Sequence, residues 1–459
     1  MAKTVNMNMT QGPLLGKIIR FSVPLMLSGM LQLLYNAADV VVVGRFAGSA
    51  ALAAVGSTGA LVNLLVNLFM GVSVGCNVLV ARYYGAGDQD SVSETVHCAV
   101  GASVIIGLMA SVVGLVFSTP MLQMMGSPED VLPLASLYLK IYFCGMPFNI
   151  AYNFGAAVLR AVGDTKRPLY ILTLAGLANV VLNLITVIFF HMGVAGVAIA
   201  TVASQVISAV LVIRALALRE DCCHLNIKEV RIYKDKLIGM IKVGLPAGIQ
   251  GSLFSLSNVI IQSSVNSFGS VVVAGNAAAA NIEGFVYIAM NAIYQACITF
   301  VSQNLGAQQP KRIMRVMTIC LVVVSGVGLV LGNLVYVFGH SLLGIYASNE
   351  EGMREAIIAV GLTRMKYVGR PYFICGLMEI GCGGMRGLGR SWVPTTVSLV
   401  GACGIRLMWI FTIFRQMGTL DSLYVSYPIS WGVTFAAHML CFFIVFRGIK
   451  KQLPDEIEA

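Results

Sequence analysis

The sequence predicts an all-α polytopic membrane protein, with twelve transmembrane helices in two six-helix lobes related by a pseudo-two-fold axis along the membrane normal. Three observations support this fold class: long uncharged stretches, an unequal distribution of Lys and Arg between alternate loops, and an internal repeat. Of the 459 residues, 58% are apolar and 11% are charged, whereas soluble domains carry roughly 25% charged residues. The composition therefore excludes a soluble enzyme, a nucleic-acid-binding protein and a secreted disulfide scaffold.

Three stretches contain no Asp, Glu, Lys or Arg: 36 residues at 46–81, 46 residues at 168–213 and 40 residues at 243–282. A bilayer-spanning helix needs about 20 mostly apolar residues, so each stretch is long enough for one or two spans. Gly, Pro and charged residues mark the ends of the apolar segments. The predicted spans lie near 16–44, 50–80, 95–117, 132–157, 168–190, 194–216, 238–266, 274–301, 314–338, 356–383, 392–414 and 424–446.

Basic residues are concentrated in every second loop. One set of loops and termini holds 22 of the 30 Lys and Arg residues, whereas the opposite set holds only Arg45, Arg354 and Arg415. Cytoplasmic loops carry the excess of Lys and Arg, so both termini are predicted to be cytoplasmic, in a multi-pass protein of the cell inner (plasma) membrane. The net charge of +10 then reflects topology, and no nucleic-acid partner is expected.

The two halves of the chain resemble each other. LRAVGDTKRP at 159–168 matches MRGLGRSWVP at 385–394 with an offset of 226 residues. Each copy contains an even number of spans, so both copies enter the membrane in the same direction, as parallel repeats do. The predicted organisation is an N-lobe at 1–220, a cytoplasmic linker at 221–237 and a C-lobe at 238–459.

Duplicated six-helix lobes indicate a transporter. The Gly16-Lys17 pair lacks the spacing of a phosphate-binding loop, so we expect no nucleotide and transport driven by an ion gradient or by exchange. The eleven cysteines form no CxxC pair, and no catalytic residue, cofactor or metal site is predicted. The expected partners are small organic molecules and the lipid bilayer, and the chain is expected to act as a monomer.

The first span carries a polar stripe that includes a carboxylate. Gln32, Tyr35, Asn36 and Asp39 are spaced so that they share one helix face. A carboxylate at membrane depth costs about 2.5–3.5 kcal/mol and is retained where it has a partner or a function. The candidate ion-coupling and substrate residues of the N-lobe are Asp39, Gln32, Tyr35, Asn36, Asn153, Asn179, Asn183 and Thr201.

Two further carboxylates, Glu283 and Glu379, lie within apolar spans of the C-lobe. Either can bind an ion or substrate, or can serve as a structural counter-ion, and both alternatives remain open from the residues alone. The basic residues available for pairing are Lys140, Arg364, Lys366 and Arg370.

Several motifs occur together in one known family. They are Pro24, Gln32 and Asp39 followed by VVVGRFAG, LRAVGDTKRP at 159–168, Asn179 and Asn183 followed by GVAGVAIAT, and SQNLGA at 302–307. Together they resemble the multidrug and toxic compound extrusion (MATE) transporters over essentially the whole chain. The sequence is most similar to the proton-coupled, DinF-like branch within the multidrug/oligosaccharidyl-lipid/polysaccharide flippase superfamily.

The resemblance implies export of organic, often cationic, compounds in exchange for protons or sodium, by alternating access of two lobes. It also implies that Asp39 forms the N-lobe coupling network with Gln32, Asn179, Asn183 and Thr201. This sequence has Asn183 where some members have a second carboxylate, and its seventh span lacks the early acidic residue of sodium-coupled members. Both departures favour protons over sodium as the coupling ion.

Three other classes of protein are alternatives to an exporter. A lipid-linked precursor flippase of the same superfamily would line its cavity with cationic residues to hold pyrophosphate. A major-facilitator carrier would need an acidic-basic signature after the second span, which RYYGAGDQDSV does not supply. A membrane enzyme would need a nucleophile or metal constellation, and none is present. The flippase stays open because of five span-associated bases: Lys140, Arg364, Lys366, Arg370 and Arg406.

Overall fold

The computed structural model describes residues 7–125, 128–346 and 351–452, which are mostly helical and contain no β-strand. Its α-helices are α1 (Leu14–Phe46), α2 (Ser49–Ala86), α3 (Gln89–Met124), α4 (Leu132–Cys144), α5 (Met146–Ala161), α6 (Lys166–Leu184), α7 (Gly193–Ala217), α8 (Lys234–Asn266), α9 (Ser270–Gly306), α10 (Pro310–Val337), α11 (Gly339–Gly344), α12 (Glu351–Arg364), α13 (Tyr372–Gly387), α14 (Trp392–Ser398), α15 (Ile405–Trp409), α16 (Arg415–Met417) and α17 (Leu420–Lys450). The predicted all-α fold class is confirmed.

Π-helical turns interrupt three of the apolar segments. They lie at Ile185–Phe189 after α6, at Met365–Gly369 after α12, and at Leu399–Gly404 and Ile410–Phe414 on either side of α15. Such turns are rare, and they are frequent at functional sites.

Within the described ranges, ten helical segments are long and apolar enough to cross a membrane. Each overlaps one predicted span. The other two predicted spans, 132–157 and 356–383, are broken helices: α4 and α5 meet at Gly145, and α12 continues through a π-helical turn to α13. Pro147 and Pro371 follow these breaks closely, and proline removes a backbone donor and disfavours helix in the preceding residue.

The chain divides into two compact units. Of the described residues, unit 1 comprises 7–11 and those within Val23–Ser252, whereas unit 2 comprises Gly12–Ser22 and those from 253 to 452. Helix α1 therefore changes unit immediately before Pro24, and proline is a common cause of helix kinks.

Unit 1 contains a close approach of two backbones, between α2 and the first part of α8. A Cβ added to Gly71 would lie 2.2 Å from the backbone nitrogen of Gly248, and one added to Gly75 would lie 2.0 Å from the carbonyl oxygen of Met240. No side chain fits at these contacts. Small residues at helix contacts in membranes allow this kind of packing.

The segment between α7 and α8 is anchored on unit 1 by ion pairs and hydrogen bonds. The Arg219 side chain is fully buried, forms an ion pair with Asp221, and has Nη1 3.7 Å from Oδ2 of Asp164. The backbone N–H of Asn226 donates to Nε2 of His97 at 3.1 Å. Burial raises the pKa of Asp164, while the backbone N–H and the charge of Arg167 oppose the shift.

Unit 2 packs its helices around the glycine-rich α13. A Cβ on Gly387 would lie 2.7 Å from Cβ of Val301 in α9, so α9 and α13 pack tightly. The start of α1 belongs to the same unit, where Phe21 makes an edge-to-face contact with Phe300 at a centroid distance of 5.7 Å.

Candidate functional site

The predicted N-lobe carboxylate is held by an asparagine of α6. Nδ2 of Asn183 donates a hydrogen bond to Oδ1 of Asp39 in α1, and the same nitrogen lies 3.3 Å from Oδ1 of Asn179. Asn183 and Asn179 are buried, with 1% and 5% of their surface exposed, whereas Asp39 is only partly buried. The structure therefore joins three of the predicted residues in one chain of polar contacts within unit 1.

The position of Asp39 depends on a contact one helical turn earlier in α1. A Cβ added to Gly176 of α6 would lie 1.8 Å from Cε2 of Tyr35, so the tyrosine ring occupies the space that the glycine leaves free. The Tyr35 hydroxyl donates to the carbonyl oxygen of Thr173 at 3.3 Å. These two contacts fix α1 against α6, and Asp39 lies on the same face of α1 as Tyr35.

A π-helical turn begins two residues after Asn183. The turn spans Ile185–Phe189, and within it Oγ1 of Thr186 donates to the carbonyl oxygen of Gly196 in α7 at 3.0 Å. Helix α6 is thereby tied to α7 next to the Asp39 contact.

Four of the predicted residues lie outside this chain of contacts. Oγ1 of Thr201 bonds within its own helix to the carbonyl oxygen of Val197 at 2.9 Å, and Asn153 bonds to Asn149. Gln32 and Asn36 have exposed side chains. None of these contacts involves Asp39. The role of the four residues in substrate binding therefore stays a prediction.

Two tyrosines and a glutamine of unit 1 were not among the candidate residues predicted from the sequence. Tyr138 stacks on Tyr142 in α4 with ring centroids 6.2 Å apart, and Tyr138 is close enough to Asp39 for electrostatic interaction. Gln205 of α7 is 8% exposed, and a Cβ on Gly145 would lie 2.3 Å from its Oε1. The i, i+4 spacing of the tyrosines was the available signal.

In unit 2, Glu283 forms an ion pair with Arg364. Nε and Nη2 of Arg364 lie 3.1 Å and 2.9 Å from Oε2 of Glu283. Nη1 of Arg364 donates to Oδ1 of Asn276 at 2.8 Å, and the Tyr424 hydroxyl donates to the same oxygen at 3.1 Å. Glu283 thus neutralises a buried guanidinium, and Asn276 and Tyr424 extend a network that the sequence did not reveal.

Glu379 has a different environment. No base lies within ion-pair distance of its carboxylate in the described part of the chain, although Arg386 and Tyr287 are within electrostatic range. Arg386 instead donates to the hydroxyl of Tyr294. Of the two predicted carboxylates of the C-lobe, Glu283 thus has an ion pair among the described residues and Glu379 has none.

The three other basic residues considered as counter-ions have exposed side chains. Nζ of Lys366 lies 5.1 Å from the ring centroid of Tyr367, and Nε of Arg370 donates to Oδ1 of Asn333 at 3.1 Å. Lys140 has no charged partner among the described residues. Of the four candidate bases, the structure thus pairs only Arg364 with a membrane carboxylate.

The MatE family model matches the chain twice, at residues 24–185 and 246–412. The two matches fall in the two halves of the internal repeat.

Curated relatives of similar length are named as drug transporters. The chain is 28% identical to the probable multidrug resistance protein YoeA of Bacillus subtilis, over 95% of each chain. It is 23% identical to the multidrug export protein MepA of Staphylococcus aureus, over 91% of each chain.

Solved structures share the fold. A MOP superfamily transporter from Pyrococcus furiosus superposes with a TM-score of 0.89 at 20% identity, over 96% of this chain and 98% of that chain. An outward-facing multidrug resistance MATE family transporter superposes with a TM-score of 0.88 at 20% identity, over the same shares of the two chains.

Proposed function

Since the chain belongs to the MatE family of multidrug efflux transporters, we propose that it is an antiporter that exports organic cations in exchange for protons. Members of this family are multi-pass membrane transporters and not enzymes. We further propose a monomer that uses no nucleotide.

The observation that carries the proposal is the hydrogen bond from Asn183 to Asp39. An ionised carboxylate only accepts hydrogen bonds, whereas a protonated one also donates. Protonation of Asp39 therefore removes a charge and adds a donor, so that Asp39 exchanges partners among the neighbouring amides and hydroxyls. A local change of charge of this kind can bias two conformations of the elements that carry it.

Competition at Asp39 links the proton to the substrate. An organic cation is attracted to the ionised carboxylate and loses that attraction when the carboxylate is protonated. Protonation from the outside would then release the substrate outward. Alternating access of the two predicted lobes, at 1–220 and 238–459, completes the proposed cycle.

Two features favour protons over sodium. Sodium binding requires several oxygen ligands directed at one point, but the amide N–H of Asn183 already points at Oδ1 of Asp39. Asn183 also replaces a second carboxylate, so the N-lobe supplies less negative charge to hold a metal ion.

The flippase alternative would require a group of uncompensated cationic residues. Of the five bases that kept it open, Arg364 is neutralised by Glu283, and Lys140, Lys366 and Arg370 have exposed side chains. One buried guanidinium, that of Arg406, remains. The ion pair of Arg364 removes one of the five bases from a pyrophosphate site, which weakens the support for the flippase.

Expression in a bacterium that lacks its own efflux pumps separates the two functions. We expect tolerance to rise for at least one lipophilic cationic dye, and the Asp39→Asn variant to lose this gain at equal membrane abundance. The Lys140→Gln variant is the control and should retain it. Absence of any dye tolerance, together with rescue of a cell-wall precursor defect, would establish the flippase instead.

A further inference from the structure

Arg406 lies in a distorted segment of unit 2. It belongs to the short helix α15, between the π-helical turns at Leu399–Gly404 and Ile410–Phe414. Only 8% of its surface is exposed, and its Nε donates to Oγ of Ser430 at 2.9 Å. A charged side chain within a membrane segment costs free energy and is usually functional. π-Helical turns are rare and are frequent at functional sites, so the two features together indicate a function.

The guanidinium of Arg406 has no counter-ion in the described part of the chain. No carboxylate of the described residues forms an ion pair with it, and its one hydrogen bond within those residues is the one from Nε to Oγ of Ser430. Arg364, on the same unit, shows the contrast, because both Glu283 and Asn276 accept hydrogen bonds from it. Burying an unpaired charge costs free energy, and the free ends of the fork are suited to a bidentate acceptor.

Flat aromatic rings surround this guanidinium. Its Cζ lies 4.2 Å from the ring centroid of Tyr427 and 5.4 Å from that of Trp431. Tyr372 extends the group, with its ring centroid 5.3 Å from that of Trp431. Cation–π attraction partly offsets the cost of burial, and the same rings can stack on an aromatic ligand.

The internal repeat places Arg406 in register with the N-lobe site. Pro168 and Pro394 correspond with an offset of 226 residues. The π-helical turn at Leu399–Gly404 adds a residue relative to an α-helix, so beyond it the register shifts by one, and Arg406 corresponds to Asn179. Unit 2 thus presents a cation at the repeat position where unit 1 presents the amide that contacts Asn183.

We propose that Arg406, with Tyr427 and Trp431, forms an anion-binding subsite that takes the carboxylate or sulfonate of a flat aromatic substrate. The fork of Arg406 would hold the acidic group bidentately, and the rings would stack on the body of the molecule. This inference rests on the proposed export function and refines it, since substrates would include aromatic compounds that carry an acidic group besides their cationic one.

A matched pair of dyes tests the subsite by equilibrium binding to the purified, full-length protein in nanodiscs. Rhodamine B carries a free carboxylate, and rhodamine B ethyl ester has the same chromophore without it. We expect the Arg406→Gln variant to bind the acid about tenfold or more weakly than wild type, because a hydrogen-bonded charge pair is lost. Binding of the ester should be unchanged, and that unchanged binding shows that the variant is folded. Arg406→Lys should fall between the two, since it keeps the charge and loses the fork.

Arg370→Gln is the matched control, because it removes an exposed arginine of the same unit and should affect neither dye. Equal loss of acid and ester binding in Arg406→Gln, or no loss of either, would overturn the subsite. Displacement of the acid from wild type by phosphatidylglycerol, at lipid fractions that leave the ester bound, would assign the site to a lipid headgroup and overturn it too. None of these results depends on transport, so the subsite can fail while gradient-driven export of the ester stands.

Discussion

Asn183 donates a side-chain hydrogen bond to Asp39, although 144 residues separate the two in the chain. The contact joins α6 to α1 within unit 1 at a carboxylate that lies in a membrane-spanning segment. An amide that faces a carboxylate can adapt to either protonation state, because its carbonyl oxygen accepts a hydrogen bond where its nitrogen donates one.

The Asp39→Asn variant should fold and insert but should lose gradient-driven efflux. The new amide oxygen still accepts from Asn183, so the helix contact is preserved, while the group can no longer exchange a proton. Dye efflux from inverted vesicles at several pH values measures the effect. Transport by the variant at wild-type rate, with unchanged pH dependence, would disprove the role of Asp39.

Removing Glu283 should destabilise the protein because it leaves Arg364 buried without a counter-ion. Breaking a buried ion pair costs about 3–5 kcal/mol, whereas replacing both partners is often close to neutral. We expect a lower midpoint of thermal unfolding for Glu283→Gln, and partial recovery in Glu283→Gln/Arg364→Met. Glu379→Gln is the control, since Glu379 has no ion pair in the described ranges. An unchanged midpoint in Glu283→Gln would contradict a structural role of the pair.

Efflux should continue in ATP-depleted vesicles when a proton gradient is imposed. No nucleotide site is visible in the sequence, so the ion gradient is expected to supply the free energy. Protonophores should then abolish dye efflux, and sodium gradients alone should not sustain it. Efflux that requires ATP and ignores ionophores would exclude a secondary carrier, and efflux driven by sodium alone would change only the ion.

Both termini and the linker at 221–237 should face the cytoplasm, because the loops on that side carry most of the Lys and Arg residues. A single cysteine at Lys228 should react with a membrane-impermeant maleimide only after permeabilisation, whereas one at His191 should react in intact cells. Both side chains are exposed, and the native cysteines would be replaced first. The reverse labelling pattern would invert the predicted topology.

Arg219→Ala should destabilise unit 1 and release the segment between α7 and α8. The variant removes the ion pairs of Arg219 with Asp164 and Asp221, at a cost of about 3 kcal/mol or more. Limited proteolysis after Lys228 should become faster, and the unfolding midpoint should fall. Arg231→Ala provides the comparison, because Arg231 is exposed and stacks on Tyr233 at 4.4 Å. Equal behaviour of the two variants would show that the buried pairs contribute little.

The all-α fold class, the positions of the membrane segments and the likeness of the two halves can be predicted from the amino-acid sequence alone. Apolar length and charge are sufficient for this, because the bilayer excludes unpaired backbone groups and charges whatever the neighbouring helices are. Helical spacing also indicated that Tyr35 and Asp39 share a face of α1. The breaks at Gly145 and before Pro371 were missed, because hydropathy does not register a short interruption between two apolar pieces.

Which polar groups contact each other is visible only in the folded chain. Spacing cannot show that Asp39 contacts Asn183 and not Thr201, or that Glu283 pairs with Arg364 and not with Lys366. Nor does spacing reveal that Arg406 lies against Tyr427 with no counter-ion among the residues that the structure describes. The reason is geometric: a helical repeat fixes which residues share a face, but the rotation of that face toward a neighbour depends on close contacts, such as the one between Tyr35 and Gly176, and on the π-helical turns that shift the register.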